Sequence, residues 1–258
     1  MQLLERDRQM RELEDQLRAM EDGHGQLVLL GGEAGAGKSM LVRAFCDQVH
    51  SRARVLTGGC DPLSTPTPLG PLVEIAEALG GPLLDLLTSE RPRQQVFEMT
   101  RSVLNTSGQP TLLILEDVHW ADEATLDLLR YLGRRIASMR LLLIATYRDD
   151  EVGPKHPVRV VLGDLATAPG IKRMRLTGLS EHAVAEMAAG TGLNAAELHR
   201  LTGGNPFFVT EVLAGVGEEV PESVRDAVLA RASRLSGEAR ATLEAAAIIG
   251  AKIDRSVL

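Results

Sequence analysis

A glycine-rich segment between an apolar run and a helical pattern restricts the possible folds of this chain more than any other feature. Residues 32–39 read GEAGAGKS and match the pattern G-x-x-x-x-G-K-[ST] at every defined position. The preceding QLVLLGG predicts a buried strand, and the pattern from Lys38 to Val49 predicts a helix. Strand, loop and helix in this order predict an anion-binding turn at the positive end of a helix dipole.

The residue types of this segment fit a nucleotide phosphate. Glycines let the backbone turn so that successive N–H groups converge on one anion. Lys38, one of four lysines in a chain with 24 arginines, supplies a flexible charge for the β- and γ-phosphates. The Ser39 hydroxyl can bind Mg²⁺. We therefore expect a P-loop that binds ATP or ADP through Gly32, Glu33, Ala34, Gly35, Ala36, Gly37, Lys38, Ser39 and Met40.

Four further strand-like runs follow, separated by helical patterns. They read ARVLTGGC, PTLLILEDV, RLLLIATYR and the weaker IKRMRLTGL. The second and third of these are apolar without alternation, which is typical of parallel strands that are covered on both faces. After Gly178 only helical patterns remain. The sequence thus predicts an α/β fold of the P-loop NTPase type, a parallel sheet sandwiched by helices, followed by a smaller helical part.

Two carboxylates stand at the end of the run TLLILED. A P-loop ATPase needs an acidic group at the end of a second buried strand, and Glu116 and Asp117 supply it. We expect one to hold Mg²⁺ through water, together with Ser39, and the other to orient or activate the attacking water. The sequence leaves open which carboxylate has which part. Asp117, His119 and Asp122 could form a different metal cluster, but we favour packing of His119 against the sheet.

Arg148 ends the run RLLLIATYR, which is the fourth predicted strand when QLVLLGG is counted as the first. Neighbouring parallel strands place their carboxyl ends at one edge of the sheet, where the nucleotide lies. An arginine there can contact the γ-phosphate, so we group Arg148 with Lys38 and the two carboxylates as the catalytic set. The alternative is a surface ion pair with Asp149 or Asp150.

The composition excludes other classes of protein. The net charge of −7, with acidic and basic residues intermixed, argues against a broad nucleic-acid surface. No window approaches the roughly 18 apolar residues of a membrane span. The charged start MQLLERDRQM lacks the apolar core of a signal peptide. Cys46 and Cys60 are expected to be reduced thiols, and the protein to be cytoplasmic, without membrane contact.

Several motifs, in their order along the chain, resemble the STAND class of signal-transduction ATPases. They are LLERDRQMRELEDQL, GGEAGAGKS, LLILEDVHWADEATLDLL, LLLIATYRDDE and LTGGNPFFVTEVL. The strongest resemblance is to the N-terminal ATPase module of large LuxR-type, maltose-activator-like transcriptional regulators, and it covers almost the whole chain.

This resemblance implies further roles and boundaries. Leu4 and Arg6 would border the adenine, with Glu5 standing where the family usually has glycine, and Pro206 would lie in a lid over the nucleotide. The implied parts are a P-loop nucleotide-binding domain (1–178), a helical lid (179–219) and the start of a winged-helix domain (220–258). We expect an ATPase module excised from a longer regulator.

The function expected from these residues is a nucleotide-dependent switch. ADP would hold a closed form, ATP would favour a form that self-associates, and slow hydrolysis would reset the module. DNA would be bound only through a C-terminal domain that this chain lacks. The alternatives are a small-molecule kinase, a ring-forming motor ATPase with Arg134 or Arg135 as arginine finger, and a module that binds ATP without turnover.

Overall fold

The chain divides into two compact units, Met1–Gly178 and Leu179–Leu258. The computed structural model describes residues 3–87, 92–106, 109–215, 229, 232–233 and 235–249. The expected boundary between lid and winged-helix parts, at residues 219 and 220, lies outside the described residues, as does most of 220–258.

The first unit is built around a five-stranded parallel sheet. Its strands are β1 (Gln26–Gly32), β2 (Arg54–Gly59), β3 (Thr111–Glu116), β4 (Leu141–Tyr147) and β5 (Ile171–Leu176), in the spatial order β2-β3-β4-β1-β5. All four pairings are parallel, and the register places Gly31 beside Tyr147 and Gly59 beside Glu116. The carboxyl ends of β1, β3 and β4 therefore lie side by side, and the expected α/β fold is confirmed.

Alternating residues of each strand enter two separate cores. On β4, for example, Leu142 and Ile144 belong to one core and Leu143 and Ala145 to the other. Both sets are fully buried. This explains why the sequence runs are apolar without alternation, because each face of the sheet needs its own apolar side chains.

Helices cover both faces of this sheet. The first core is closed by α1 (Asp7–Glu21) and α2 (Lys38–Val49), whose apolar stripes contribute Leu13, Leu17 and Phe45. The second core is closed by α3 (Gly70–Leu79), α4 (Pro82–Leu87), α5 (Arg93–Thr106), α6 (Glu123–Gly133) and α7 (Pro157–Asp164). Two short 3-10 turns, Val118–Trp120 and Ile136–Ser138, precede β4.

The described part of the second unit is helical. It contains α8 (Glu181–Met187), α9 (Ala195–Thr202), α10 (Pro206–Ala214) and α11 (Gly237–Ile249). The first three are capped by side chains that the sequence places one residue ahead of them, namely Ser180, Asn194 and Asn205. Within the described residues of both units, no helix is both long and apolar enough to span a bilayer.

Candidate nucleotide-binding site

The P-loop (residues 32–40) joins the carboxyl end of β1 to the first turn of α2. Gly35 and Gly37 have φ values of +83° and +93°, conformations that glycine adopts without steric cost. Gly37 is the residue before α2, so the chain enters the helix directly from a left-handed turn. The first N–H groups of a helix have no intrahelical partner, and those of α2 begin at Lys38. This is the geometry expected of a phosphate-binding helix start.

The Lys38 ammonium group lies against the P-loop backbone. Its Nζ donates to the carbonyl oxygens of Gly32, at 2.7 Å, and Glu33, at 2.9 Å. The residue is only 6% exposed. Burial lowers the pKa of Lys38, and the nearby Asp117 carboxylate partly offsets that shift. A buried ammonium group satisfied only by carbonyls is ready to exchange them for an anionic ligand.

Glu116 and Ser39 meet at the end of β3. Burial and the Asp117 charge raise the pKa of Glu116, and they outweigh the Arg43 charge and a hydrogen bond to the Ser39 side chain, which lower it. Hydroxyl and carboxylate oxygens are the ligands that Mg²⁺ prefers. The residues expected to hold the metal are therefore adjacent and of suitable chemistry.

Asp117 is held in place by the neighbouring strand. Its backbone adopts φ = +54°, which is uncommon for a residue other than glycine. The backbone N–H of Asp117 donates to Thr146 Oγ1 on β4 at 2.9 Å, and Thr146 is 1% exposed. Burial raises the pKa of Asp117, against the effect of the Arg148 and Lys38 charges. Sequence reasoning missed Thr146, although the TYR motif contains it, because strand position alone does not reveal this cross-strand bond.

Arg148 lies at the same edge, but it is engaged by neighbours. Its Nη1 donates to Glu151 Oε1 at 2.7 Å, and its guanidinium carbon lies 4.4 Å from the centre of the Trp120 ring. Trp120 Nε1 in turn donates to Glu151 Oε2 at 3.3 Å. The partner of Arg148 is thus Glu151, and not Asp149 or Asp150 as the alternative interpretation had it. Asp149 instead pairs with Arg175 at 2.6 Å.

His119 fills the space between the two acidic groups. Its side chain is fully buried, with Nδ1 3.8 Å from Asp117 Oδ1 and Nε2 3.8 Å from Glu151 Oε2. Among the described residues, neither ring nitrogen has a hydrogen-bond partner. Burial lowers the pKa of His119 to about 4, so the ring is neutral at pH 7. Asp122, the third member of the alternative metal cluster, caps α6 through its carboxylate instead.

The N-terminal segment reaches the P-loop through Arg6. This residue is 4% exposed, and its Nη2 donates to the carbonyl oxygens of Ala36, at 3.3 Å, and Thr177, at 2.8 Å. Leu4 beside it is half-buried, and Glu5 adopts φ = +54°. Glu5, which stands where the resemblance to STAND ATPases implies glycine, therefore does have a left-handed backbone. Contact of Leu4 and Arg6 with adenine stays a prediction.

Pro206 lies in the second unit, where it is the first residue of α10. Asn205 precedes it and caps the helix by accepting a hydrogen bond from the Phe207 N–H at 3.1 Å. Proline suits this position because the first turn of a helix needs no donor there. A lid role for Pro206 also stays a prediction.

The parallel sheet, the glycine loop and the residues around it define a P-loop ATPase fold. The sequence profile of the AAA ATPase domain matches residues 2–144, which is more than half of the chain. The chain therefore belongs to the AAA ATPase domain family. A curated relative, an uncharacterized protein of Rhizobium meliloti (strain 1021), is 26% identical over 300 aligned residues. The match covers 92% of this chain but only 28% of that relative.

Three solved structures share the fold. Cdc6p of Pyrobaculum aerophilum matches with a TM-score of 0.58 and 17% identity, over 83% of this chain and 61% of that one. The structure of Drosophila ORC bound to DNA matches with a TM-score of 0.52 and 16% identity, over 86% of this chain and 54% of that one. A STAND protein of Pyrococcus horikoshii with a tetratricopeptide repeat sensor matches with a TM-score of 0.50 and 19% identity. This match covers 87% of this chain and 32% of that one. At these identities the similarity establishes the fold alone.

Proposed function

We propose that this chain is the ATP-binding and ATP-hydrolysing switch module of a STAND-type transcriptional regulator. The observation that carries the proposal is the meeting of four groups at one sheet edge: the P-loop lysine, the Glu116 and Asp117 pair, and Arg148. They come from the ends of three strands, β1, β3 and β4, or from the loops that follow them, so the fold itself brings them together.

Lys38 is the primary phosphate ligand in this proposal. Its Nζ leaves the carbonyls of Gly32 and Glu33 and binds the β- and γ-phosphate oxygens, while the start of α2 supplies backbone N–H donors. The exchange is favourable because a charge-assisted bond to phosphate is stronger than a bond to a neutral carbonyl.

Ser39 and Glu116 would hold Mg²⁺, because the hydroxyl and the carboxylate are adjacent, and the Arg43 charge favours the ionised form of Glu116 that a metal ligand requires. The ion would neutralise charge that develops on the phosphate oxygens. Asp117, whose half-buried carboxylate lies near His119 and is affected by the Lys38 charge, would orient the attacking water and accept its proton. A raised carboxylate pKa suits that proton transfer.

Arg148 would report the γ-phosphate. To reach it, the guanidinium must leave Glu151 and the Trp120 ring, and the binding free energy of ATP over ADP would favour that exchange. The difference between ATP and ADP at Arg148 is the basis of a switch. The ADP state would keep the module monomeric, and the ATP state would favour self-association.

The output belongs to parts of the regulator beyond this chain. The Rhizobium meliloti relative is much longer than this match, and the Pyrococcus horikoshii protein is described as a STAND protein with a repeat sensor. We propose that this module likewise works within a longer cytoplasmic protein, and that DNA is contacted only by a separate C-terminal domain.

A phosphate-release assay tests the catalytic part. The double variant Glu116→Ala/Asp117→Ala should lose turnover yet still bind nucleotide, and Glu77→Ala/Glu98→Ala, which removes two exposed helical carboxylates, should keep turnover. Full turnover by the first variant contradicts the assignment. Transfer of labelled phosphate to an added metabolite instead of water would favour a small-molecule kinase.

Light scattering at matched concentrations tests the switch. The mass measured with ATP and Mg²⁺ should exceed that with ADP and Mg²⁺, and Arg148→Ala should remove the difference. Equal masses in both nucleotides would contradict self-association, and a closed ring formed with either nucleotide would favour a motor.

A further inference from the structure

Arg6 makes contacts that a base-recognition role does not require. Its guanidinium donates to three backbone carbonyls: Glu5 at 3.4 Å, Ala36 at 3.3 Å and Thr177 at 2.8 Å. Among the described residues Arg6 forms no ion pair. Burial lowers the pKa of Arg6, and the neighbouring Glu5 charge offsets only part of that shift. A buried guanidinium without a carboxylate partner is costly, and carbonyl acceptors reduce that cost only when they are well placed.

The carbonyls that Arg6 joins belong to two distant parts of the first unit. Ala36 is in the P-loop, directly before Gly37 and Lys38. Thr177 follows β5 and is the next-to-last residue before the boundary between the two units. The first residue of the P-loop also lies against β5, because a Cβ on Gly32 would lie 2.9 Å from the Leu176 carbonyl oxygen. The P-loop is thus held against the end of β5 at two points: by close packing at Gly32, its first residue, and by Arg6 at Ala36, in its middle.

We infer that Arg6 is a positioning residue that holds the P-loop in its phosphate-binding shape and connects that shape to the chain segment leading out of β5. The inference rests on the phosphate-binding role of the P-loop proposed above. Arg6 acts through the Ala36 carbonyl, which fixes the peptide that precedes Gly37 and Lys38. The same guanidinium nitrogen also donates to the Thr177 carbonyl. A shift of the P-loop on nucleotide binding therefore also displaces residues 177–178.

The planar guanidinium is suited to this task in a way that lysine is not. It presents several N–H donors in fixed directions, whereas an ammonium group is a compact point charge on a flexible chain. Arg6→Lys therefore keeps the charge but loses the joint contact, and Arg6→Gln keeps a donor but loses the charge and part of the reach.

Titration of ATP with Mg²⁺ into the full chain tests this inference. We expect Arg6→Lys and Arg6→Gln to weaken ATP binding by about tenfold, at a temperature where circular dichroism shows each variant to be folded. Arg54→Lys is the matched control. Arg54 is half-buried and donates to a single side chain, Thr111 Oγ1 at 3.2 Å, but it lies at the start of β2, the edge strand farthest from β5. It should bind ATP as the wild type does.

Hydrogen exchange measures how far ATP protects each segment of the backbone, and a general loss of stability would not change that protection in one segment alone. In the wild type, ATP should slow amide exchange both in residues 33–41 and in residues 174–178. In Arg6→Lys at saturating ATP, the first segment should still be protected and the second should exchange as it does without nucleotide.

The outcomes are separable. The inference is overturned if both folded Arg6 variants lose less than fivefold in ATP affinity, or if Arg54→Lys loses as much affinity as they do. It is also overturned if ATP still protects residues 174–178 from exchange in Arg6→Lys. Should Arg6→Gln fail to fold, Arg6→Lys decides. If the wild-type chain binds no ATP, the proposed function fails instead, and that result is distinct from normal binding by the Arg6 variants.

Discussion

At the scale of single residues, Glu5 has a backbone conformation that glycine adopts more easily. Its φ of +54° lies in the left-handed region, where a side chain costs roughly 1 kcal/mol. Glycine removes that cost but also makes the unfolded chain more flexible, which offsets part of the gain. We expect Glu5→Gly to raise the free energy of unfolding by about 0.5 kcal/mol in urea denaturation followed by Trp120 fluorescence.

Glu77→Gly provides the comparison. Glu77 is exposed in the last part of α3, where the backbone is helical, so the same replacement should lower the free energy of unfolding by up to about 1 kcal/mol. If both replacements destabilise the protein to the same extent, the left-handed backbone at Glu5 carries no strain.

Asp117 illustrates a conflict between stability and function. Burial raises its pKa in the folded protein, so the stability it contributes is present at low pH and is lost as the pH rises through the folded value. Above that pH the ionised carboxylate is a net cost. In the absence of nucleotide and metal, Asp117→Asn should therefore unfold at a higher temperature than the wild type at pH 8, and the two should converge as the pH is lowered.

Asparagine keeps the left-handed backbone of Asp117 accessible, so the comparison isolates the charge. Asp47→Asn, on the exposed surface of α2, should show no comparable gain at pH 8. A lower unfolding temperature for Asp117→Asn at pH 8 would mean that the ionised carboxylate is stabilising. The gain should be accompanied by loss of ATP turnover, as expected where a functional group is destabilising.

Sequence reasoning was strongest where a motif prescribes both spacing and chemistry. Lys38 and the pair Glu116 and Asp117 follow from such patterns, and their positions at one sheet edge agree with that expectation. His119 and Glu151 do not follow, because their closeness depends on how a 3-10 turn and the loop after β4 fold back on each other. No local pattern specifies that packing.

At the scale of elements, Asp122 connects the start of α6 to the loop before α3. Its carboxylate accepts from the N–H groups of Ala124, at 2.8 Å, and Thr125, at 3.1 Å, and also from the Leu69 N–H at 3.1 Å. Leu69 has φ = +57°, so this last bond holds a strained residue. We expect Asp122→Ala to lower the free energy of unfolding by about 2 kcal/mol in urea, the upper end of the range for helix caps.

Asp122→Asn retains an acceptor oxygen and should lose less than half as much. Equal losses in the two variants would show that charge, not capping geometry, stabilises this junction. In the structure Asp122 is the N-cap residue of α6.

The strands were predictable because each is an apolar run bounded by glycine, proline or charged residues. All five predicted strands are present, including the weak β5, and α2 begins at Lys38 as predicted. The left-handed residues Leu69 and Asp117 were not predictable, since neither is a glycine and their conformations are fixed by hydrogen bonds to distant side chains.

At the scale of the whole molecule, the nucleotide should stabilise the first unit. A ligand that binds only the folded state, at about 100 times its dissociation constant, adds about 2.7 kcal/mol to the free energy of unfolding. The single tryptophan, Trp120, lies in this unit and reports its unfolding. We expect ATP with Mg²⁺ to raise the unfolding midpoint of Trp120 fluorescence, and an unchanged midpoint at saturating ATP would contradict binding to the folded first unit.

The division at Gly178 coincides with the point where strand patterns end in the sequence. The roles of the second unit were less accessible, because a helical pattern with caps specifies helices but not what they cover. A lid role for this unit is implied by the resemblance to STAND proteins. Measuring the ATP and ADP affinities of Pro206→Ala and of the wild type tests that role.

Calorimetric titration of ATP into the wild type and Lys38→Ala, both with Mg²⁺, tests the central claim most directly. Lys172→Ala, which removes an exposed lysine of β5, serves as the control. We predict binding by the wild type and the control, and no measurable binding by Lys38→Ala. Equal affinity in all three proteins would contradict the claim that the P-loop lysine holds a nucleotide phosphate.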